Sequence, residues 1–119
     1  MGLETITQIA GEDMNGSTIQ FLAIALDDGK VANNGGEAGG ILQTKPKSGE
    51  HCSLGYLGES EFRAGAAIVR GARLTVATSG YFSTVASGGV SVGRSICAVA
   101  SGGIGRGVFN FANGPVTGA

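Results

Sequence analysis

Apolar residues along this chain come in short runs cut by glycine-rich polar intervals, a spacing that predicts strands and turns. The run Thr18–Leu26 (TIQFLAIAL) is dense in β-branched and aromatic side chains and has strand length. It stops at Asp27-Asp28-Gly29-Lys30, a turn signature in which glycine supplies a positive φ. The interval 31–40 (VANNGGEAGG) reads as a loop. Gly40–Thr44 reads as a second strand, ended by Pro46 and Ser48-Gly49-Glu50. His51–Leu57 alternates Cys52, Leu54 and Tyr56 against His51, Ser53 and Gly55, the period of a strand with one buried face. Residues 61–71 (EFRAGAAIVRG) are ambiguous. Phe62, Ala66 and Val69 would share a helix face, but Gly65 and Gly71 weaken a helix, so a bend and a short strand are expected.

The β signal then becomes regular. Arg73–Thr78 and Tyr81–Ala86 flank Ser79-Gly80, two residues of a kind that closes a tight hairpin. Val90–Ala100 follows Gly88-Gly89, and Ile104–Phe111 follows Gly102-Gly103. No segment supplies the crossover helices that a parallel sheet requires. The pattern therefore predicts a mainly β fold, a small antiparallel β-sandwich or barrel with little helix. Ahead of it, residues 1–18 are polar with isolated apolar positions at Leu3, Ile6, Ile9 and Met14. Gly11, Asn15 and Gly16 argue against a long helix there. An extended N-terminal arm is expected over 1–18, mobile or ordered by a partner, with one β-rich domain over 19–119.

Composition narrows this further. Of 119 residues 23 are glycine, while 42% are hydrophobic and 14% charged. Enough apolar surface is available for one core, which excludes intrinsic disorder. The glycines follow no three-residue period, which excludes collagen, and their number disfavours a helix bundle. The formal net charge is −1 and the arginines are scattered, so there is no electrostatic case for nucleic acid or an anionic membrane. The longest uncharged stretch, Leu74–Gly93, is mostly Gly, Ser and Thr, too polar for a membrane-spanning helix. The N-terminus lacks the basic and apolar regions of a signal peptide, and Ile6 stands where a myristoylation motif wants Ser or Thr. Synthesis in a cytoplasm is the expectation. Cys52 and Cys97 allow one disulfide or two packed thiols, the thiols being the preferred reading.

Candidate chemistry is thin. His51 is the only histidine, and no acid or cysteine stands at a metal-ligand spacing from it. In a strand His51 and Cys52 point to opposite faces, which disfavours a catalytic pair. Gly103-Ile104-Gly105-Arg106-Gly107 superficially resembles a dinucleotide fingerprint, but its third glycine falls one place early and a strand follows. Gly29-Lys30 lacks the upstream glycine of a P-loop. Asp27 with Asp28, and Glu59 with Glu61, sit beside glycines and read as solvated turn carboxylates rather than acid–base pairs. Tyr56, Tyr81 and the phenylalanines read as packing rather than as a sugar platform. No catalytic residue, metal or cofactor is expected.

The order of segments is more informative. Phe21–Lys30 (FLAIALDDGK) leads to Gly40–Glu50 (GILQTKPKSGE), then Phe62-Arg63-Ala64-Gly65, Gly71–Val76 (GARLTV) and Ser79-Gly80. Last comes Val92–Gly103 (VGRSICAVASGG). Over about residues 20–111 this succession resembles the small capsid decoration (cement) proteins of tailed bacteriophages, similar in role to the decoration protein of phage lambda. The resemblance implies a β-rich protein on the outer face of the head that clamps neighbouring major capsid protein subunits after shell expansion. It further implies homotrimers at three-fold and quasi-three-fold positions and no enzymatic activity. Within that reading, Leu3, Ile6, Ile9 and Met14 are the capsid-binding candidates, and removing residues 1–18 would spare the fold. The other reading open at this point is a small β-sandwich module that binds glycans or another surface.

Overall fold

The computed structural model describes residues 3–16, 19–33, 38–85, 90–111 and 116–117. It contains ten strands in these residues: β1 Leu3–Ile9, β2 Ala23–Ala25, β3 Ala38–Leu42, β4 His51–Arg63, β5 Arg73–Val76, β6 Phe82–Thr84, β7 Val90–Ser91, β8 Gly93–Ser95, β9 Ile104–Asn110 and β10 Val116–Thr117. All the strand pairings are antiparallel, and the only helical element described is a 3-10 turn at Thr78–Gly80. One sheet runs in the order β2-β3-β4-β9-β8-β5-β6, with β1 added to β4, and a second small sheet pairs β10 with β7. The fold is thus mainly β and antiparallel, as the hydrophobic pattern predicts. Of sandwich and barrel, it takes the form of a sheet nearly closed into a barrel.

Strand β4 organises that sheet because it is long enough to pair with three others. Gly55 lies between Thr5 of β1 and Ile41 of β3, while Leu57 lies between Glu4 of β1 and Asn110 of β9. At the far end of the sheet the chain curls back. Phe82 forms a parallel bridge with Ala64, just past β4, and Gly65 N–H donates to Phe82 O at 2.7 Å. Gly80 sits in the remaining seam at φ 78°. A side chain there would begin 2.6 Å from Val31 Cγ1 and 3.0 Å from Ala23 O, so the near-closure requires glycine.

The core explains why these residues make strands. On β9 burial alternates strictly: Gly105, Gly107 and Phe109 face in, while Ile104, Arg106, Val108 and Asn110 face out. Phe62, Phe82 and Phe109, from β4, β6 and β9, form a triangle of edge-to-face rings with centroids 5.5, 5.8 and 5.4 Å apart. Each such contact adds about 0.5–1.5 kcal/mol beyond the area it buries. Gly105 leaves room for them, since a Cβ there would lie 2.2 Å from Val99 Cγ2 and 3.1 Å from Phe62 Cζ. A second cluster joins Ala10, Met14, Ile24, Leu42, Cys52 and Leu54, with Ile6, Ile19 and Val31 against it.

Several boundaries differ from those the pattern suggests. The expected strand Thr18–Leu26 is reduced to Ala23–Ala25, because Ile19–Leu22 turns and Phe21 takes φ 72°. In that conformation Phe21 N–H bonds Leu42 O and Phe21 O receives Arg63 N–H, which takes the chain out of the strand path. The strand expected at Gly40–Thr44 is shifted to Ala38–Leu42. Instead of bending near residue 61, β4 continues to Arg63, held by seven paired positions against β9. After it Ala64 and Ile68 regain pairing, as single bridges to Phe82 and Val99. The β5–β6 hairpin is present, but it turns through the three residues Thr78–Gly80 rather than through Ser79-Gly80 alone. Val90–Ala100 is split into β7 and β8. The turn expected at Gly88-Gly89 and part of the 31–40 loop lie outside the described residues.

Candidate interaction surfaces

The first candidate surface is the N-terminal segment, and the structure separates its four apolar residues. Leu3–Ile9 is a strand of the main sheet, in register with β4 from Leu3 opposite Gly58 to Ile9 opposite His51. The chain then enters the core. Ala10 N–H donates to Glu50 O and Ala10 O accepts from Gly49 N–H, while Met14 N–H donates to Pro46 O at 2.8 Å. Met14 is fully buried in the second cluster, Ile6 packs against that cluster, and Leu3 is half-buried over Gly55. Among the four, only Ile9 presents a large apolar side chain to solvent, at 45% exposure. For residues 3–16 the reading of a separable arm is therefore corrected: isolated apolar positions in a polar stretch here mark one strand and one core anchor. Met14 in this conformation offers nothing to a partner.

The second surface, absent from the candidates drawn from sequence, is the outer face of the β4-β9-β8 part of the sheet. Leu57, Ile96, Ile104 and Val108 are large apolar residues between 39% and 46% exposed, spread over this face among charged and polar neighbours. Leu57 opposes Asn110, Glu59 opposes Val108, Glu61 opposes Arg106, and Arg63 opposes Ile104. Ile96 follows β8, its N–H donating to Arg106 O at 3.0 Å. Directly opposite residues share a face. Arg106 Nη2 reaches Glu59 Oε2 at 2.6 Å, and Arg94 donates through Nε and Nη2 to Gly71 O at 3.2 and 3.1 Å. A signal for this face does exist in the sequence. In IGRGVFN the glycines take the inward positions between aromatic rings, which turns Ile104 and Val108 outward.

A cleft of about 440 Å³ lies along the seam, lined by Glu12, Ile19, Leu22, Val31, Asn33, Ser79 and Tyr81. Two of its polar side chains serve the fold. Glu12 Oε2 accepts from Val31 N–H at 3.0 Å, and Asn33 Oδ1 accepts from Ser79 N–H at 3.2 Å, tying the two sides of the seam.

The residues weighed for chemistry stay apart. His51 is exposed and Cys52 buried, on opposite faces of β4. Cys52 and Cys97 are both free thiols. Burial pushes the Cys52 thiol above its ordinary value, against a smaller opposing effect from the Gln8 backbone. Asp27 and Asp28 are exposed next to the Gly29 turn, and Asp28 Oδ1 accepts from Lys30 N–H at 3.0 Å. Glu59 and Glu61 lie on the outer face of β4, not in a cleft. Among the described residues no group of three His, Cys, Asp or Glu side chains is placed to hold a metal ion. None of the described helical elements is long and apolar enough to cross a membrane.

No family model and no curated protein matches this chain. The structure does have solved counterparts. It is similar to the N base of the head fiber protein gp8.5 of bacteriophage phi29, with a TM-score of 0.72 at 14% sequence identity over 92% of this chain and 95% of that one. At that identity the likeness establishes a shared fold, and the fold is one that a phage uses in a fiber on its head.

Proposed function

We propose that this protein is a structural component of a phage virion that sits on the outer surface of the head. The shared fold with a head-fiber base, over nearly the whole of both chains, is the observation that carries the reading. The sequence resemblance to capsid decoration proteins supports it independently, because that resemblance rests on segment order and not on the fold. In the finer form of the proposal the chain binds the major capsid protein, bridges neighbouring subunits and stabilises the expanded shell. It does so as a homotrimer at three-fold and quasi-three-fold positions, made in the cytoplasm of the bacterial host. The role requires no catalytic residue, cofactor, nucleic acid or membrane. Many copies acting together make a strong clamp from modest contacts.

The test is reconstitution. Purified protein added to expanded heads that lack it should co-sediment to saturation and raise the temperature at which the heads open. Heads that take up none of it would refute capsid binding. Binding to cell-surface glycans in an array, with heads left bare, would instead favour the surface-binding module.

A further inference from the structure

The cleft along the seam holds polar side chains that the fold uses only in part. Glu12 and Asn33 are each fixed at one atom, Glu12 Oε2 by Val31 N–H at 3.0 Å and Asn33 Oδ1 by Ser79 N–H at 3.2 Å. Among the described residues their other atoms, Glu12 Oε1 and Asn33 Nδ2, have no hydrogen-bond partner, and neither do Ser79 Oγ and the Tyr81 hydroxyl. Asn33 and Ser79 are exposed, and half-buried Glu12 and Tyr81 leave no unpaired polar atom enclosed, so this capacity stands open to a ligand. Ile19, Leu22 and Val31 add an apolar wall. The backbone is strained at the same place. Among the described residues, the two non-glycine positions with positive φ are Phe21 at 72° and Ser79 at 63°. Phe21 precedes Leu22 of the cleft, and Ser79 lines it. Strain of this kind gathers where a fold clamps a ligand.

We propose that this cleft binds a neutral saccharide, a mono- or disaccharide in size. Its volume of about 440 Å³ falls among small-molecule sites, which span about 300–1,000 Å³. Sugar hydroxyls both donate and accept, so one ring satisfies a carboxylate oxygen, an amide N–H and a hydroxyl together. Its C–H face meanwhile packs on Tyr81 and the aliphatic wall. Tyr81, a packing residue as the sequence reads, is thereby part of a site. Other ligand classes match the lining less well. An anion meets Glu12 and finds no cationic side chain among the lining residues. An ammonium group pairs with Glu12 but sets its own donors against Asn33 Nδ2. A wholly apolar ligand covers the fixed polar atoms and leaves them unpaired. The site goes beyond the proposed shell role and does not depend on it.

The experiment uses the full chain without heads, followed by amide NMR. The probes are the methyl glycosides of glucose, galactose, mannose, rhamnose and N-acetylglucosamine, with lactose and cellobiose. At least one should move the amides around the cleft saturably, with a dissociation constant of about 1 mM or tighter. Ser79→Gly removes only the hydroxyl, keeps the N–H that Asn33 accepts, and suits φ 63°. It should weaken that sugar about two- to tenfold, the worth of one hydrogen bond. Tyr81→Ala should weaken it about tenfold. Thermal melts check both folds, and Ser79→Gly still decides if Tyr81→Ala does not fold. Three results overturn the proposal. One is a panel that moves no cleft amide at about ten times that concentration, or moves only amides elsewhere. Another is a saturable sugar site that a folded Ser79→Gly leaves unchanged. The third is butylammonium filling the cleft where every sugar fails, which would assign it to cations.

Discussion

Replacing Met14 by alanine tests whether the N-terminal segment belongs to the folded unit. Met14 is fully buried beside Ile24, Leu42, Cys52 and Leu54, and its backbone N–H is bonded to Pro46 O. Alanine keeps that bond and empties the space occupied by the rest of the side chain. Met→Ala in a packed core costs about 2–5 kcal/mol, and we expect a loss near the middle of that range because rigid strand residues surround the site. For a domain of this size such a loss lowers the thermal midpoint by about 14 °C. Ile9→Ala is the control, since a side chain this exposed should cost less than about 0.5 kcal/mol. Urea titration followed by circular dichroism reads both, and the slope should stay constant if unfolding remains one transition. A Met14→Ala midpoint equal to that of the wild type would refute the packing argument and return residues 10–16 to the status of an arm. Deletion of residues 1–16, which also removes β1 from β4, should destabilise more than Met14→Ala alone.

Gly105→Ala puts a Cβ 2.2 Å from Val99 Cγ2 and beside the Phe62 ring, so overpacking should cost about 1–3 kcal/mol in a denaturant titration. Glu59→Gln should change stability by less than about 1 kcal/mol, because its partner Arg106 has a side chain 62% exposed and water screens the pair. A thiol reagent should label Cys97 in the native protein and reach buried Cys52 only on unfolding. Because the folded-state pKa of Cys52 is raised, the unfolded chain gives up that proton first. Stability should therefore hold below the ordinary thiol value of 9.0 and decline as the pH rises through it, a decline that Cys52→Ala removes.

Much of the β architecture was legible because alternation and turn residues are local signals. The hairpin around Gly80, the face of Cys52 and Leu54, and the turn at Gly29 all follow from a few neighbouring residues. What was not legible depends on partners distant in the chain. Phe21 reads as a strand residue, yet its bonds to Leu42 and Arg63 hold it at φ 72° and end the strand. Strand β4 runs to Arg63 because β9, far later in the chain, pairs with it. The N-terminal residues look like an arm because a single edge strand buries only one side, so Ile6 and Met14 appear isolated in sequence. Met14 becomes core only when the chain passes Pro46. The same limit hid the outer face: Leu57, Val108 and Ile104 are ordinary one by one, and the pairing of β4 with β9 turns them to one side of the sheet.

That face also bears on how such a protein would meet its neighbours. A sheet edge offers backbone groups to any passing strand, which is a hazard for a protein present in many copies. Here the near-closure at Phe82 and Ala64 occupies one end of the sheet, and the Val31 bridge covers Ile24 at the other. On β1, the strand added outside this path, Gln8 Oε1 accepts from Ile9 N–H at 2.9 Å and Gln8 Nε2 donates to Leu26 O at 2.6 Å, which blunts the edge near its end. With edges managed in this way, specific contact falls to side-chain faces. Among the described residues the outer face of β9 has what such a contact needs, exposed apolar groups with charges of both signs fixed by strand register. On the reading proposed above, such a protein would meet its neighbours through side chains set by strand register rather than through open strand edges.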